Sequence, residues 1–503
     1  MTDQAGSRRI GRRALLGTAA GTAIVAAGGL AAYQKFHNEG SGGSGGGDKV
    51  NGKASTSMQT RIELTPPIID VKVPAKSGVA PGYVFFAPKH AVQDGLAIAD
   101  NDGQYVWANT YVPEVTDFRV QTYKGEPVMT YWQGQPGWKH GLGEYAIVDR
   151  NYRQIASVRA GSGFNGDLHE FQLTDHDTAL ITVFHERQTD LSAVGGSPNG
   201  WIWEGVAQEI DIATGKLLFE WHSLDHVPVT DGYYPIIWDG ETYGTRKLPF
   251  DYFHINSVHK NAAGDYLISS RTTHTVYKVD GKTGKIIWQL GGKHSDFSFG
   301  PGASFKWQHC VRFQGTNRIS IFDNHMTGHS RGILLDLDEK SHRATLRQEY
   351  VSPEKILAPY QANMEILGNG NVFIGWGDSP YFTEFAADGS VLYHAGWRGG
   401  GNSYRAYRCE WHAQPVDKPI VIAEYGGNDT ITAYVSWNGA TEVASWRLET
   451  GDTATALTRS HQGRRAGFET SFTLPTAKYI RALALDSSGT VIGTSEINPV
   501  YSG

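Results

Sequence analysis

The chain has little of what several protein classes require. Only 2 of its 503 residues are cysteine, which is too few for a disulfide scaffold or a four-thiolate zinc site. The net charge is −6 and charged residues make up 19% of the sequence. A nucleic-acid-binding protein normally carries a basic surface, so this balance argues against one. Hydrophobic residues reach 40%, which excludes a typical disordered chain.

The abundant residues indicate strands and turns. Glycine accounts for 61 residues and aromatic residues for 12% of the chain. Glycine supplies the backbone angles of tight turns, and aromatic side chains favour strands. The composition therefore predicts an all-β protein with many turns. Histidine is also frequent, at 19 residues, so the positions of the imidazoles matter for function.

Residues 1–34 predict an export signal that is separate from the fold. Two arginine pairs, the second ending at Arg13, precede an uncharged stretch rich in Ala and Gly that runs to Gln34. This arrangement resembles the twin-arginine signal, which predicts an extracellular, periplasmic or cell-envelope location. An uncleaved signal would keep the protein at the membrane. Residues 35–69 follow as a Gly/Ser-rich linker and lead-in.

Two strand–turn–strand patterns alternate along residues 70–411. The first has a polar Asp/Gly turn before an apolar run and occurs at 98–107, 148–155, 210–221, 279–288, 335–342 and 385–393. The second occurs at 118–132, 168–185, 254–271, 309–324 and 362–377. Repeating units of about four strands predict a six-bladed β-propeller, because a ring of twisted sheets buries both faces of every sheet.

Residues 412–503 have a different texture. Short alternating strands surround a hairpin signal at Asn438 and Gly439. This pattern predicts a small immunoglobulin-like or fibronectin-like β-sandwich after the propeller.

The aligned copies of the second pattern carry polar residues at equivalent positions. Where the first strand begins, the five copies have Arg119, His169, His254, His309 and Asn363. Where the paired strand ends, they have Trp132, His185, Arg271, Asn324 and Gly377. First strands line the channel of a propeller, so these side chains should converge. Imidazole, amide and guanidinium groups with few carboxylates suit an anionic oxyacid group, and a histidine can act as a covalent nucleophile.

Five short motifs carry a resemblance to a known family. They are Asp167-Leu-His-Glu-Phe171, His254-Ile-Asn-Ser257, Ile268-Ser-Ser-Arg271, Gln308-His309 and Phe322-Asp-Asn324. Together they resemble the bacterial arylsulfate sulfotransferases, over roughly residues 80–400. The resemblance implies an exported six-bladed propeller that needs no nucleotide sulfate donor and no cofactor. Its substrates would be a phenolic sulfate donor and a phenolic acceptor.

The resemblance also implies roles for individual residues. His309 becomes the nucleophile that carries the sulfuryl group, and Arg271, His254 and Asn256 hold the sulfuryl oxygens. His169 becomes the acid for the leaving phenolate and then the base for the acceptor hydroxyl. A further set of positions, at equivalent places in the repeats or aromatic, is expected to contact substrate: Asn324, Arg119, Asn363, Trp132 and Trp376.

Two other functions remain open on the residues alone. His169, His254 and His309 around one axis could instead hold a divalent transition metal, although Arg271 would repel a cation. A non-catalytic propeller that serves as a binding scaffold is the second alternative. Strand alternation further predicts that Glu170 points away from the channel.

Overall fold

The computed structural model describes residues 55–110, 114–137, 139–238 and 240–501. The predicted export signal and most of the predicted linker lie outside the described residues. Among the described residues, no helix is long and apolar enough to cross a membrane. Cys310 and Cys409 are both free thiols.

The described chain is built almost entirely from short strands. The strands before residue 160 are β1 (Ile69–Val73), β2 (Tyr83–Phe86), β3 (Leu96–Ala99), β4 (Tyr105–Asn109), β5 (Glu114–Tyr123), β6 (Glu126–Pro136), β7 (Gly141–Val148) and β8 (Gln154–Val158). Those up to residue 300 are β9 (Phe171–Leu173), β10 (Thr178–Thr189), β11 (Gly200–Asp211), β12 (Leu217–His222), β13 (Ile237–Trp238), β14 (Glu241–Thr242), β15 (Ile255–Lys260), β16 (Tyr266–Ser270), β17 (Thr275–Val279), β18 (Ile286–Gly291) and β19 (Ser298–Phe299).

The remaining strands fall into a group before residue 410 and a C-terminal group. The first group is β20 (His309–Phe313), β21 (Arg318–Asp323), β22 (Arg331–Asp338), β23 (Arg343–Tyr350), β24 (Asn363–Ile366), β25 (Val372–Gly375), β26 (Tyr381–Phe385), β27 (Val391–Trp397) and β28 (Ala406–Cys409). The C-terminal group is β29 (Ile420–Gly427), β30 (Thr430–Ser436), β31 (Ser445–Gly451), β32 (Arg459–Arg464), β33 (Glu469–Pro475), β34 (Tyr479–Leu485), β35 (Val491–Thr494) and β36 (Asn498–Pro499). Short 3-10 turns cover Ser192–Val194, Ser223–Asp225 and Val229–Asp231.

Among the described residues, the strands before residue 410 form six antiparallel sheets of four main strands and one two-stranded sheet, β13-β14. Sheet 1 has the order β28-β2-β3-β4, sheet 2 β5-β6-β7-β8, sheet 3 β9-β10-β11-β12, and sheet 4 β15-β16-β17-β18. Sheet 5 runs β20-β21-β22-β23 with β19 at its edge, and sheet 6 runs β24-β25-β26-β27 with β1 at its edge. Each repeat pattern found in the sequence is a pair of adjacent antiparallel strands in one of these sheets.

Neighbouring sheets contact one another in a cyclic order. The contacts run from β28 to β5, β5 to β9, β10 to β15, β15 to β20, β20 to β24 and β25 back to β28. Sheet 1 joins strands from the two ends of this region, since β28 pairs with β2. Apolar clusters fill the spaces between sheets; one of them, for example, combines Val128 and Ile147 of sheet 2 with Phe171 and Ile181 of sheet 3. The first strands therefore meet at a common centre.

Residues after 412 form two further sheets over their own core. One has the order β29-β30-β33 and the other β32-β31-β34-β35, with β36 paired to β34. Trp437 and Trp446 lie in the core between them. Asn438 fastens this region to sheet 1, because its side chain exchanges hydrogen bonds with the backbone N–H and carbonyl of Ala108.

Candidate active site

Three histidines predicted to converge lie together at the centre of the sheets. His169 precedes β9, His254 precedes β15, and His309 begins β20; all three are buried. The rings of His169 and His254 are 5.0 Å apart and meet edge to face. The charges of both act on His309 as well, which makes it their neighbour. A fourth histidine, His140, is close enough for the charges of His169 and Asp167 to act on it. We call His140, His169, His254 and His309 the imidazole cluster.

Asn324 fixes the tautomer of His309. The Asn324 amide nitrogen donates hydrogen bonds to the carbonyls of Ala358 at 2.8 Å and Gln361 at 3.0 Å. Its oxygen must therefore face His309 Nδ1, 2.8 Å away, and accept the proton there. No hydrogen bond from a described residue reaches the opposite nitrogen, Nε2. His309 consequently presents an unshared lone pair, the form a nucleophile needs.

Carboxylates bind the other two imidazoles at the same ring nitrogen, Nδ1. His169 Nδ1 lies 2.6 Å from Asp167, and His254 Nδ1 lies 2.6 Å from Asp251. Thr182 and the backbone N–H of Gly141 also donate to Asp167, so its position is fixed. Each imidazole therefore has its Nδ1 proton committed to a carboxylate.

Burial and neighbouring charge favour the neutral forms of His309 and His254. Burial lowers the pKa of His309 well below its ordinary value, and the positive charge of Arg271 lowers it further. Burial likewise lowers the pKa of His254 to about 4, although Asp251 opposes the shift. A neutral His254 has only a lone pair at Nε2. Holding a sulfuryl oxygen, the role that the resemblance implies for His254, would require a proton at this nitrogen.

Arg271 is a buried cation without an acidic partner. It follows β16, and no carboxylate of a described residue lies within 4 Å of its guanidinium. Its Nη atoms donate to the Tyr234 hydroxyl at 2.8 Å and to a backbone carbonyl, while Nε has no partner. Trp307 and Tyr360 face the guanidinium at 4.9 Å from their ring centres. A guanidinium in such surroundings suits an anionic group.

An aromatic pocket adjoins these residues. It is lined by Lys139, Tyr234, Pro235, Trp238, Tyr243, Phe250 and Asp251. Tyr234 links the pocket to Arg271, and Asp251 links it to His254. Its walls are mostly rings, which suits an aryl group.

Sequence reasoning missed two members of the site. The His140 ring packs at a tilt against Trp203, with the ring centres 4.5 Å apart. Burial lowers the pKa of His140 to about 4, although the charges of Asp167 and Asp251 oppose the shift. Asp251 is the second, and its carboxylate binds Nδ1 of His254. His140 and Asp251 both lie outside the repeat patterns, so aligning the repeats could not find them. The one signal in the sequence was an aspartate, Asp251, three residues before His254.

Arg119 lies in a second buried cluster instead of at the imidazoles. Its guanidinium is 3.3 Å from Glu170, which also pairs with Arg312 at 2.7 Å and Arg405 at 3.0 Å. Arg405 pairs with Asp117 as well. We call these five residues the arginine cluster. Arg119 is committed to carboxylates, so it is not available to an anionic substrate.

Glu170 points to the centre, so the prediction from strand alternation was wrong. His169 and Glu170 lie in a turn before β9, where the two-residue alternation of a strand does not apply. Glu170 thereby reaches arginines that precede or belong to three different sheets. Its pKa is lowered: burial alone would raise it, but the three guanidinium groups outweigh that effect.

Two asparagines predicted to contact substrate make hydrogen bonds within the protein. Asn256 donates to the carbonyl of Gln308 at 2.7 Å and is fully buried, so it holds the chain next to His309. Asn363 exchanges hydrogen bonds with the backbone of Ala406 and fastens sheet 6 to sheet 1. The hydrogen bonds of Asn363 are therefore used between sheets, whereas the Asn256 side-chain oxygen has no hydrogen-bond partner among the described residues.

The two predicted ring-binding tryptophans are core residues. Trp132 is 0% exposed and donates from its indole nitrogen to the carbonyl of Gly166. Trp376 is also 0% exposed and donates to Thr383. The rings that do surround the guanidinium are Tyr234, Trp307 and Tyr360, which belong to segments outside the repeat patterns.

The metal alternative was also open. Across the described ranges, no group of three or more His, Cys, Asp or Glu side chains is arranged to hold a metal ion. The positive charges of Arg271 and Lys139 act on the cluster and its carboxylates, and both would repel a metal cation.

Comparison with solved structures finds several low similarities. A protein of unknown function from Bacteroides caccae is 13% identical, with 65% of this chain and 98% of that chain covered and a TM-score of 0.38. A protein from Lactobacillus plantarum is 11% identical, with 78% and 99% covered and a TM-score of 0.34. A virginiamycin B lyase from Staphylococcus aureus is 9% identical, with 66% and 84% covered and a TM-score of 0.29. These values are too low to bear on function.

A sequence family accounts for the chain more directly. No curated protein matches it. The arylsulfotransferase (ASST) family matches residues 119–398, which include the imidazole cluster, Arg271 and Asn324. The match spans more than half of the sequence, and the chain belongs to the arylsulfotransferase family.

Proposed function

We propose that the protein moves a sulfuryl group from a phenolic sulfate ester to a phenolic acceptor through a sulfohistidine at His309. Family membership supports aryl sulfotransferase activity. One observation carries the proposal: His309 presents an unshared Nε2 near Arg271, a buried guanidinium without an acidic partner. The site thus supplies a nucleophile and a holder for sulfuryl oxygens.

The first half-reaction loads the histidine. His309 Nε2 attacks the sulfur in line, the sulfur–oxygen ester bond breaks, and the phenolate leaves. Sulfuryl transfer resembles phosphoryl transfer, in which charge spreads over the equatorial oxygens and catalysis consists mainly of positioning and charge stabilisation. Arg271 supplies that charge, and the aromatic pocket receives the aryl ring.

The second half-reaction returns the group to a phenol. The acceptor oxygen attacks the sulfur, and the nitrogen–sulfur bond breaks. His169 takes the acceptor's proton at Nε2 after having given one to the leaving phenolate, while Asp167 holds its Nδ1. No nucleotide donor or cofactor enters either step.

The same proposal covers the architecture and the location. The cyclic contacts of the six sheets support a closed six-bladed propeller over residues 70–411. The two C-terminal sheets support a β-sandwich over residues 412–503, with immunoglobulin-like topology as the finer proposal. Residues 1–34 would direct export by the twin-arginine route.

The test uses p-nitrophenyl sulfate as donor and phenol as acceptor. Wild-type protein should release p-nitrophenol and form phenyl sulfate, and His309→Ala should lower the rate by roughly a thousandfold or more. His176→Ala is the matched control, because that histidine is exposed and distant from the cluster. Release that survives His309→Ala would refute the nucleophile. No release with several aryl sulfates would favour the scaffold function, and activity restored only by a divalent metal would favour the metal enzyme.

A further inference from the structure

The structure holds a phenol of its own on the anion-binding arginine. The Tyr234 hydroxyl accepts a hydrogen bond from Arg271 at 2.8 Å. Its ring packs 4.9 Å from Trp307, two residues before His309. Tyr234 belongs to the segment between β12 and β15 and remains partly exposed. The side chain therefore places a phenolic oxygen where Arg271 would hold a sulfuryl group.

We propose that Tyr234 is an internal sulfuryl acceptor, so that the protein sulfates its own tyrosine when no free phenol is present. This inference rests on the proposed function, because His309 must first be loaded by an aryl sulfate. The acceptor half-reaction needs a phenolic hydroxyl near the sulfohistidine and a base for its proton. A tyrosine side chain is a phenol, so its chemistry meets that requirement without any further group.

The step balances with groups already named. The Tyr234 oxygen forms a bond to sulfur, and the nitrogen–sulfur bond at His309 breaks with its electron pair returning to the imidazole. The phenolic proton passes to His169 Nε2. The product carries a sulfate anion next to Arg271, which would stabilise it by a charge-assisted contact.

The product is also a donor, which makes the modification reversible. Sulfotyrosine is an aryl sulfate, the same class of ester that loads His309. The reverse step therefore transfers the group back to His309 and from there to an incoming phenol. Tyr234 would then store a sulfuryl group between donor and acceptor, and while loaded it would occupy Arg271.

Neighbouring tyrosines make poorer acceptors. Tyr404 is buried, and its hydroxyl donates to the backbone carbonyl of His169. Tyr360 faces Arg271 with its ring, and among the described residues its hydroxyl has no hydrogen bond to the guanidinium. Tyr360→Phe is accordingly the matched control for Tyr234.

The experiment incubates wild-type protein with p-nitrophenyl sulfate and no acceptor, then maps sulfuryl groups on its peptides by mass spectrometry. The peptide containing Tyr234 should carry one, and a chase with phenol should remove it. His309→Ala should prevent the label and Tyr360→Phe should retain it. As a second measurement, Tyr234→Phe should still release about one p-nitrophenol per site before acceptor is added, and its sulfuryl group should stay on His309.

The outcomes separate this inference from the proposed function. A sulfuryl group on His309 with none on Tyr234 would overturn the internal acceptor and leave the function standing. Label on Tyr234 that persists in His309→Ala would also overturn it, since the relay through His309 would be absent. No p-nitrophenol from the wild type would remove the proposed function and this inference with it. The wild-type peptide map decides even where Tyr234→Phe is inactive.

Discussion

The arginine cluster and the imidazole cluster lie side by side at the centre of the same sheets, yet their charges are balanced differently. In the arginine cluster, Glu170 and Asp117 neutralise most of the charge of three guanidinium groups. Near the imidazole cluster, Arg271 has no such partner among the described residues. Buried charges that are paired mainly hold a structure together, whereas an unpaired buried cation in a cleft indicates a bound anion. The comparison indicates that the arginine cluster stabilises the structure of the site, whereas the imidazole cluster and Arg271 bind and transfer the substrate group.

The two clusters are connected through the backbone. Glu170 directly follows His169, and Arg405 donates to the carbonyl of Asn256, two residues after His254. Tyr404, next to Arg405, packs on the His169 ring at 5.5 Å. The arginine cluster therefore fixes the separation of the strands that carry the imidazoles.

The largest expected effect on stability comes from breaking the arginine cluster. Glu170→Gln leaves three buried guanidinium groups around a neutral amide, and this should lower the free energy of unfolding by about 3–5 kcal/mol. Chemical denaturation measures the change. Glu442→Gln is the control, because that carboxylate is exposed and should contribute less than about 1 kcal/mol. A loss as small as the control's would mean that the cluster is not a structural frame.

After His309→Ala, the next largest expected effect on transfer without loss of the fold comes from Arg271→Lys. Lysine keeps the charge but not the planar donor fork, so kcat/KM should fall by roughly 10²–10³-fold. Steady-state kinetics with p-nitrophenyl sulfate measure it. Arg246→Lys changes an exposed guanidinium over Trp201 and should leave kcat/KM unaltered. Equal rates in both variants would contradict the assignment of the sulfuryl oxygens to Arg271.

Stability should also respond to pH through the buried histidines. His140 and His254 have a pKa of about 4 in the folded protein, against about 6.5 when unfolded. The unfolded chain thus binds more protons between these values, so stability is fully present above pH 6.5 and is lost as the pH falls towards 4. Each histidine should contribute a slope of at most about 1.4 kcal/mol per pH unit. Urea unfolding at several pH values tests this, and His140→Gln should reduce the slope.

The repeats made much of the centre predictable from the sequence. Equivalent positions in successive copies brought His169, His254, His309, Arg271 and Asn324 to one place, because each copy begins its first strand at the same centre. Asp251, His140 and Tyr234 lie outside the repeat patterns, and their proximity follows from connections that have no period. Repeat position also does not reveal a side chain's partner: Arg119 and Asn363 occupy equivalent positions, but one meets Glu170 and the other meets Ala406.

The smallest expected effect on transfer comes from substituting Trp132. This variant tests whether Trp132 is a core residue or a substrate contact. Trp132→Phe removes one buried hydrogen bond and part of a fully buried ring, and should cost about 2–3 kcal/mol of stability. The KM for an aryl sulfate should stay the same. Trp238→Ala, on the wall of the aromatic pocket, should instead raise that KM with little loss of stability. If KM rose in Trp132→Phe but not in Trp238→Ala, the aryl ring would bind near Trp132 and not in the aromatic pocket.

The central claim is that a covalent sulfuryl group waits on the protein between two phenols. The direct measurement is to incubate the protein with p-nitrophenyl sulfate, remove all free donor, and then add phenol. The account predicts phenyl sulfate in an amount comparable to the protein, and none from His309→Ala. A wild-type protein that turns over the complete mixture but yields no phenyl sulfate in this two-stage experiment would contradict it.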